Sequence, residues 1–277
     1  MKTILLTGAK GMFGQDAVKI FSKRGYEVIP VDIEDFNITD EVSVTNYFKD
    51  LECNFVIHAA AYTNVDLAEN EREKAFLINE KGAENLAKIT AEKNIPIVYI
   101  STDYVFDGEK YSVYLPDDKT NPQSVYGESK LAGEIAVKKY NPKHFITRTS
   151  WLYGKNGKDF VDTMINLSKT QPVLKVVDDQ TGCPTWTYDL AEGILKIIEN
   201  NSPYGVYHVC GSNSTTWYGF AKKIFELKDI KTEVLPVTTA EFPRPAKRPR
   251  NSVMENNNLC RNWEESLQKY LENTTTF

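Results

Sequence analysis

The chain has 277 residues, of which 41% are hydrophobic and 26% charged, and its formal net charge is −5. This length suits one large α/β domain or a domain with an additional lobe, and the composition is ordinary for a globular protein. The acidic balance argues against nucleic acid or an anionic membrane surface as the main partner.

The cysteines and the N-terminus exclude further classes. No two of the four cysteines have CxxC spacing, and the three histidines form no metal signature, so we expect reduced thiols and no metal site. The apolar run at residues 4–6 is too short for a signal peptide, and no stretch reaches the ~18 apolar residues of a membrane span. These features predict a cytoplasmic protein without a membrane partner.

The first 32 residues predict a strand, a glycine loop, a helix and a second strand. Residues 4–6 form an apolar run, residues 15–24 have helical periodicity, and residues 25–32 read as a turn and a strand. The loop between the first strand and the helix contains Gly8, Gly11 and Gly14. Glycines there allow the backbone to approach a pyrophosphate, and the helix N-terminus offers free N–H groups to it.

Asp32 ends the second predicted strand, where a carboxylate can accept hydrogen bonds from the ribose hydroxyls of a dinucleotide. A carboxylate there repels a 2′-phosphate, so NAD(H) is the favoured cofactor. Lys10 in the loop partly offsets this repulsion, so NADP(H) is also allowed.

The next predicted elements continue the alternation of helix and strand. Residues 39–51 and 66–94 predict helices, and residues 55–61 and 97–102 predict strands. Asn79, inside the long helix, is interpreted as a solvated side chain, with a role through its carboxamide as the alternative. Four βα units with apolar strands indicate a doubly wound parallel sheet, in which ligands bind at the carboxyl ends of the strands.

Polar residues follow the fourth predicted strand. Thr102 and Asp103 stand at its end, and the Thr102 hydroxyl can donate a hydrogen bond to a substrate carbonyl. After a polar loop, a helix is predicted from Tyr126 to Tyr140. Tyr126 and Lys130 share one face of it because residues four apart are neighbours on a helix. A cation near a tyrosine lowers the pKa of the phenol, which suits a proton donor.

The alternation loosens after a strand at residues 144–150. The later predicted elements are helices at 159–169, 188–199, 217–227 and 263–271 and strands at 173–177 and 205–209. Residues 1–152, completed by parts of 184–212, are therefore predicted to form the dinucleotide-binding domain. Residues 153–277 are predicted to form mainly a smaller α+β substrate lobe.

Several segments together resemble the extended short-chain dehydrogenase/reductases. They are TGAKGMFG at 7–14, STDYVF at 101–106, YGESK at 126–130 and RTSWLYG at 148–154, supported by 58–69, 178–185 and 248–252. The resemblance implies a Rossmann-type sheet with a C-terminal substrate lobe. Within the family, the segments are most similar to reductases that convert dTDP-4-dehydro-L-rhamnose to dTDP-L-rhamnose with NAD(P)H, a step of cell-surface polysaccharide biosynthesis.

The resemblance also implies residue roles. The implied catalytic residues are Tyr126 as proton donor, Lys130, which would lower its pKa, and Thr102, which would orient the C4 keto oxygen. The implied cofactor-binding residues are Gly8, Gly11, Met12, Phe13, Gly14, Asp32, Ala61, Tyr62, Thr63, Tyr126 and Lys130. The implied residues for a nucleotide-sugar substrate are Thr102, Asp103, Trp151 and Arg248, the last within a basic cluster that would otherwise be a solvated loop.

One departure from the family concerns assembly. Some relatives dimerise through a magnesium ion held by acidic residues. Asp16 matches the first acidic position, but Tyr188 and the neighbourhood of Leu271 occupy the others. A hard cation requires oxygen ligands, mostly carboxylates, so the predicted state is a monomer or a weak homodimer without a bridging metal.

Two alternative functions are compatible with the same motifs. One is another nucleotide-sugar reductase, an epimerase or a dehydratase of the extended family, although dehydratases have an Asp-Glu pair where this chain has Asp103 and Tyr104. The other is a non-catalytic nucleotide-binding subunit, like the regulatory subunit of methionine adenosyltransferase.

Overall fold

The computed structural model of the protein describes residues 1–273. Its strands are β1 (Thr3–Thr7), β2 (Glu27–Val31), β3 (Phe55–His58), β4 (Ile97–Thr102), β5 (His144–Thr149), β6 (Leu152–Tyr153), β7 (Val173–Val177), β8 (Thr181–Gly182), β9 (Thr185–Trp186), β10 (Gly205–His208), β11 (Thr215–Thr216) and β12 (Glu233–Val237). Six of them form one parallel sheet in the order β10-β5-β4-β3-β1-β2. The predicted doubly wound parallel sheet is therefore confirmed.

Helices cover both faces of this sheet. They are α1 (Met12–Lys23), α2 (Glu41–Phe48), α3 (Val65–Ala68), α4 (Arg72–Phe76), α5 (Gly82–Glu92), α6 (Val125–Tyr140), α7 (Phe160–Ser168), α8 (Thr187–Glu199), α9 (Trp217–Leu227) and α10 (Trp263–Asn273). Successive strand residues point to opposite faces. Ile4 and Leu6 of β1 thus pack with α1 and α8, whereas Leu5 packs with α2, α5 and α6.

The predicted helix at 66–94 is divided in the structure. The short helices α3 and α4 precede a π-helical turn at Leu77–Lys81, and α5 begins at Gly82. This turn contains Asn79, which is 1% exposed. Its predicted solvation is wrong because its carboxamide bonds the backbone N–H and C=O of Tyr62 and the hydroxyl of Ser129.

The C-terminal part of the chain divides between the sheet and a second apolar core. Helix α8 packs on α1, and β10 pairs with β5, so residues 187–208 return to the sheet. Helices α7, α9 and α10 pack with the parallel pair β7–β12 around residues such as Phe220 and Trp263. The division at residue 152 stays a prediction, and residues 274–277 of the predicted lobe lie outside the described residues.

Over residues 1–273, no helix combines the length and the apolar character needed to cross a bilayer.

Candidate active site

A cleft of about 1060 Å³ opens at the carboxyl ends of β1, β3 and β4. Most of the predicted site residues line it, namely Gly8, Gly11, Met12, Phe13, Gly14, Asp32, Ala61, Thr63, Thr102, Asp103, Tyr126, Lys130 and Trp151. Tyr62 and Arg248, the two other predicted site residues, are not among the lining residues. The topology thus brings together residues from several strand ends and from the first turns of α1 and α6.

Two glycines of the loop, Gly8 and Gly14, have no space for a side chain. Gly8 has φ +70°, in the left-handed region, and a Cβ placed on it would lie 2.6 Å from the Ala60 nitrogen. A Cβ on Gly14 would collide with the Gly8 carbonyl oxygen. Helix α1 follows, and no side chain caps its N-terminus. Uncapped N–H groups next to a tight glycine turn are suited to an anion such as a pyrophosphate.

Asp32 is fixed at the end of β2 by backbone hydrogen bonds. Its Oδ2 accepts from the Lys10 N–H at 3.0 Å, and its Oδ1 accepts from the Ile33 N–H at 2.9 Å. The Lys10 ammonium instead forms an ion pair with Glu34 at 2.8 Å. The carboxylate of Asp32 is therefore oriented by the loop, and the charge of Lys10 is directed toward another acid.

Contacts from separate segments fix the start of α6. The Ser124 hydroxyl accepts from the Gly127 N–H at 3.2 Å, and Glu69 accepts from the Val125 N–H at 2.9 Å. Gly127 packs so closely that a Cβ would collide with the Tyr104 carbonyl oxygen. Tyr126 therefore lies in a capped first turn with little freedom to move.

Lys130 lies one turn later and is 2% exposed. Its Nζ donates to the Ile100 carbonyl oxygen at 2.7 Å and lies 4.1 Å from the centroid of the Tyr99 ring. Burial lowers the pKa of Lys130 to about 7, and the nearby Glu134 carboxylate opposes this shift. Glu134 itself is paired with Arg148 at 2.8 Å in the interior.

The pKa of Tyr126 is raised to about 12, mainly by burial, and Asp103 adds to the rise. A hydrogen bond with Thr102 lowers the pKa but does not outweigh burial. The resemblance implied that Lys130 lowers this pKa, and that role of Lys130 stays a prediction. The phenol is therefore protonated at neutral pH, which is the state that a proton donor requires.

Thr102 and Asp103 follow β4 as predicted. Thr102 Oγ1 donates to Asp103 Oδ1 at 3.0 Å and accepts from the Tyr104 N–H at 3.2 Å. Asp103 is 2% exposed, and burial raises its pKa to about 6 despite the opposing effect of Ser252. Asp103 Oδ2 and Ser252 Oγ have no hydrogen-bond partner that meets geometric criteria within residues 1–273. The site thus places beside Thr102 a carboxyl group whose pKa lies close to neutral pH.

Arg248 forms a two-pronged ion pair outside the cleft. Its Nη1 and Nη2 bind the two carboxylate oxygens of Asp66, the second at 2.9 Å, and Nη1 also donates to the Ala246 carbonyl at 2.7 Å. The guanidinium lies near Tyr104, which lines the cleft. Its predicted contact with the substrate stays a prediction.

Tyr62 lies between Ala61 and Thr63, which line the cleft, but does not line it itself. Its ring packs with Ala68, Ala75 and Val125 in a cluster against which Tyr126 also packs. Asn79 fixes the Tyr62 backbone and also bonds Ser129 of α6. Asn79 thus connects the loop after β3 with the helix of Tyr126, and no motif indicated this connection.

The other half of the cleft contains Trp151, which stacks on Trp217 with ring centroids 3.5 Å apart and planes at 6°. Trp217 was predicted only as a helix residue. The sequence contains no signal for this pair because the two residues belong to elements far apart in the chain.

The position of Asp16 bears on the predicted absence of a metal. Its carboxylate accepts hydrogen bonds from Thr187 and Asn156. Within the described part of the chain, no group of three or more His, Cys, Asp or Glu residues is arranged to hold a metal ion.

Comparison with known proteins places this geometry in a family. The chain is 39% identical over 278 residues to the spore coat polysaccharide biosynthesis protein SpsK of Bacillus subtilis, covering 98% of each chain. A dTDP-4-dehydrorhamnose reductase of Clostridium acetobutylicum is 46% identical with a TM-score of 0.96, and the match covers 99% of this chain and 100% of that one.

A dTDP-4-dehydrorhamnose reductase of Bacillus anthracis, solved in complex with NADP, is 41% identical with a TM-score of 0.94, covering 98% and 99% of the two chains. These similarities confirm the family resemblance drawn from the sequence motifs. The model of the family described as the RmlD substrate binding domain matches residues 1–276, and this chain belongs to that family.

Proposed function

We propose that the protein reduces the C4 keto group of dTDP-4-dehydro-L-rhamnose to give dTDP-L-rhamnose, with a reduced nicotinamide dinucleotide as hydride donor. The observation that supports this most directly is that Thr102 and Tyr126, which both have hydroxyl groups, line the same cleft as the glycine loop. Two hydroxyl donors at one point suit a carbonyl oxygen on which negative charge develops. Two solved structures that this chain resembles are named dTDP-4-dehydrorhamnose reductase, which supports this reaction.

The residues present fit a dinucleotide. The steric exclusion of side chains at Gly8 and Gly14 leaves backbone facing the cleft, and the uncapped start of α1 adjoins it. Asp32 at the end of β2 would hold the adenosine ribose. Met12, Phe13, Ala61 and Thr63 also line the cleft and would enclose the remaining cofactor. When bound, the dinucleotide supplies the hydride for C4.

The chain's own residues supply the proton and the electrostatic stabilisation. Tyr126 donates its phenolic proton to the O4 atom as negative charge grows there, and Thr102 donates a second hydrogen bond once its hydroxyl proton turns from Asp103 to O4. Because the pKa of Tyr126 is raised to about 12 by burial, the phenol holds its proton until the oxyanion develops. Lys130, fixed by the Ile100 carbonyl, places a cation near the resulting phenolate.

The remaining predicted roles concern the substrate and the cell. Asp103 and Trp151 line the part of the cleft assigned to the sugar, and Arg248 would contact the diphosphate after exchanging from Asp66. The four cysteines are unpaired, in agreement with a reducing cytoplasm. We propose NAD(H) as the favoured dinucleotide and a monomer or weak homodimer as the working form.

The test is a panel of nucleotide-linked 4-keto sugars, each supplied with NADH or NADPH, followed by loss of reduced-nicotinamide absorbance. We expect the fastest loss with dTDP-4-dehydro-L-rhamnose and conversion to dTDP-L-rhamnose by mass spectrometry. Sugar interconversion without net loss of NADH would identify an epimerase. Absence of turnover with every sugar, together with co-purification of a partner enzyme, would identify a regulatory subunit.

A further inference from the structure

Trp151 has a backbone conformation that bulky residues rarely adopt. Its φ is +47°, in the left-handed region, which is unfavourable for a residue other than glycine. The Trp151 carbonyl accepts from the Thr185 N–H at 3.2 Å. Such a conformation persists only where the surrounding contacts stabilise it. The contacts of the indole therefore identify the residues that determine its position.

Trp217 makes the most extensive ring contact with that indole. The two rings are nearly parallel at 3.5 Å between centroids. The Trp217 indole N–H donates to Gln180 Oε1 at 3.2 Å, and Gln180 is itself fixed by a bond to Thr239 at 3.0 Å. Phe160 packs on Trp217 at 4.7 Å. Trp217 is thus held on several sides before it contacts Trp151.

Gly182 provides a second contact with the same indole. A Cβ placed on Gly182 would lie 2.5 Å from Cε2 of Trp151, so only glycine leaves room for the ring. Gly182 pairs with Thr215 across the β8–β11 ladder, and the Thr216 hydroxyl caps α9, which begins at Trp217. Trp217 and Gly182, the two residues that contact the indole, are therefore connected through the β8–β11 ladder and the start of α9.

We propose that Trp217 is a positioning residue for the nucleotide-sugar subsite. Trp151 lines the cleft, whereas Trp217 is not among the lining residues and acts through the stack. By holding the Trp151 indole in place, Trp217 determines the position of the cleft surface that the sugar of a nucleoside diphosphate sugar contacts. This inference deepens the proposed function and rests on it only for the class of ligand.

The test combines spectroscopy with binding of dTDP-glucose, a nucleotide sugar that the proposed reaction does not consume. Two stacked indoles give an exciton couplet in far-ultraviolet circular dichroism. We expect Trp217→Leu to abolish the couplet and to weaken dTDP-glucose binding, measured by calorimetry, roughly 3- to 10-fold, the scale of one aromatic pair. Trp217→Phe should keep part of the binding, and NADH affinity should stay within about twofold.

Two further variants complete the experiment. Gly182→Ala, whose added Cβ displaces the Trp151 indole from another direction, should also abolish the couplet and weaken dTDP-glucose binding. Trp186→Phe is the matched control, because Trp186 stacks on Tyr188 in the same lobe at 4.9 Å and does not line the cleft. It should leave the Trp151–Trp217 couplet and dTDP-glucose affinity unchanged.

The outcomes separate this inference from the proposed function. If Trp217→Leu keeps the couplet, or loses it with unchanged dTDP-glucose affinity, Trp217 does not position the subsite. A wild-type protein that fails to bind dTDP-glucose also overturns the inference. A protein that binds dTDP-glucose through the stack but reduces no 4-keto sugar refutes the proposed reaction and leaves the positioning role supported.

Discussion

The two halves of the cleft are built differently. The dinucleotide half is built around a tight backbone turn at the ends of parallel strands, where Gly8 packs directly against Ala60. The sugar half depends on large side chains, with Trp151 held by Trp217 and Gly182. The dinucleotide half has no room for an added Cβ at Gly8. The sugar half depends on aromatic contacts, which a substitution can weaken without abolishing. Substitutions should therefore have steep effects in one half and graded effects in the other.

The largest effect is expected where the two halves meet, at Tyr126. We expect Tyr126→Phe to lower kcat by ~10²–10⁴, because it removes the proton donor, while NADH affinity changes little. Stopped-flow turnover and fluorescence titration with NADH would measure the two quantities. Tyr140→Phe, at the far end of the same helix, is the control and should keep native turnover. Near-native turnover in Tyr126→Phe would remove Tyr126 from proton transfer.

The steep response of the dinucleotide half can be tested at Gly8. We expect Gly8→Ala to weaken NADH binding at least ~10-fold, because its Cβ would collide with Ala60 in a left-handed conformation. Gly25→Ala is a matched control, since Gly25 has φ +85° but no atom within 4 Å of the added Cβ. It should lose about 1 kcal/mol of stability and keep NADH affinity. Equal NADH affinities in the two variants would contradict steric control by the loop.

The boundary between the halves also contains a buried acid, Asp103, whose pKa is raised by burial from 3.8 to about 6. The folded state therefore binds this proton more tightly than the unfolded state, and the stability it contributes is lost as the pH rises from about 4 through about 6. We expect Asp103→Asn to raise the free energy of unfolding by about 3 kcal/mol at pH 8 and by far less near pH 4.

Urea unfolding at both pH values would measure this difference. Asp107→Asn is a control of opposite sign, because the Glu109 N–H lowers the pKa of Asp107 and the ionised form is the stabilised one. That variant should be destabilised at pH 8. A pH-independent gain in Asp103→Asn would mean that burial does not govern its ionisation.

The smallest predicted effect concerns cofactor choice. We expect Asp32→Ala to shift the ratio of NADPH to NADH use about fivefold toward NADPH, the scale of one charge repulsion near water. Ratios of kcat/KM for the two cofactors would measure it. Asp50→Ala, far from the cleft, should leave the ratio unchanged. An unchanged ratio in Asp32→Ala as well would exclude Asp32 from this choice.

The fold and most of the cleft could be predicted because their signals are local. The apolar run of β1 and the spacing of Gly8, Gly11 and Gly14 indicate a parallel sheet with a phosphate loop, since these patterns arise within a few residues of chain. The Tyr126–Lys130 pair follows from helical geometry alone. Parallel strands then bring their carboxyl ends together, so residues at these ends meet in one cleft.

Tertiary packing decided the features that depend on distant segments. Arg248 is paired with Asp66, 182 positions away, and Asn79 is buried against the loop after β3. The pKa of Tyr126 rises rather than falls because burial, which no local pattern reveals, outweighs its neighbours. The sequence by itself determined which residues are available for chemistry. The folded chain determined their solvation and their partners, because both depend on atoms supplied by remote parts of the polypeptide.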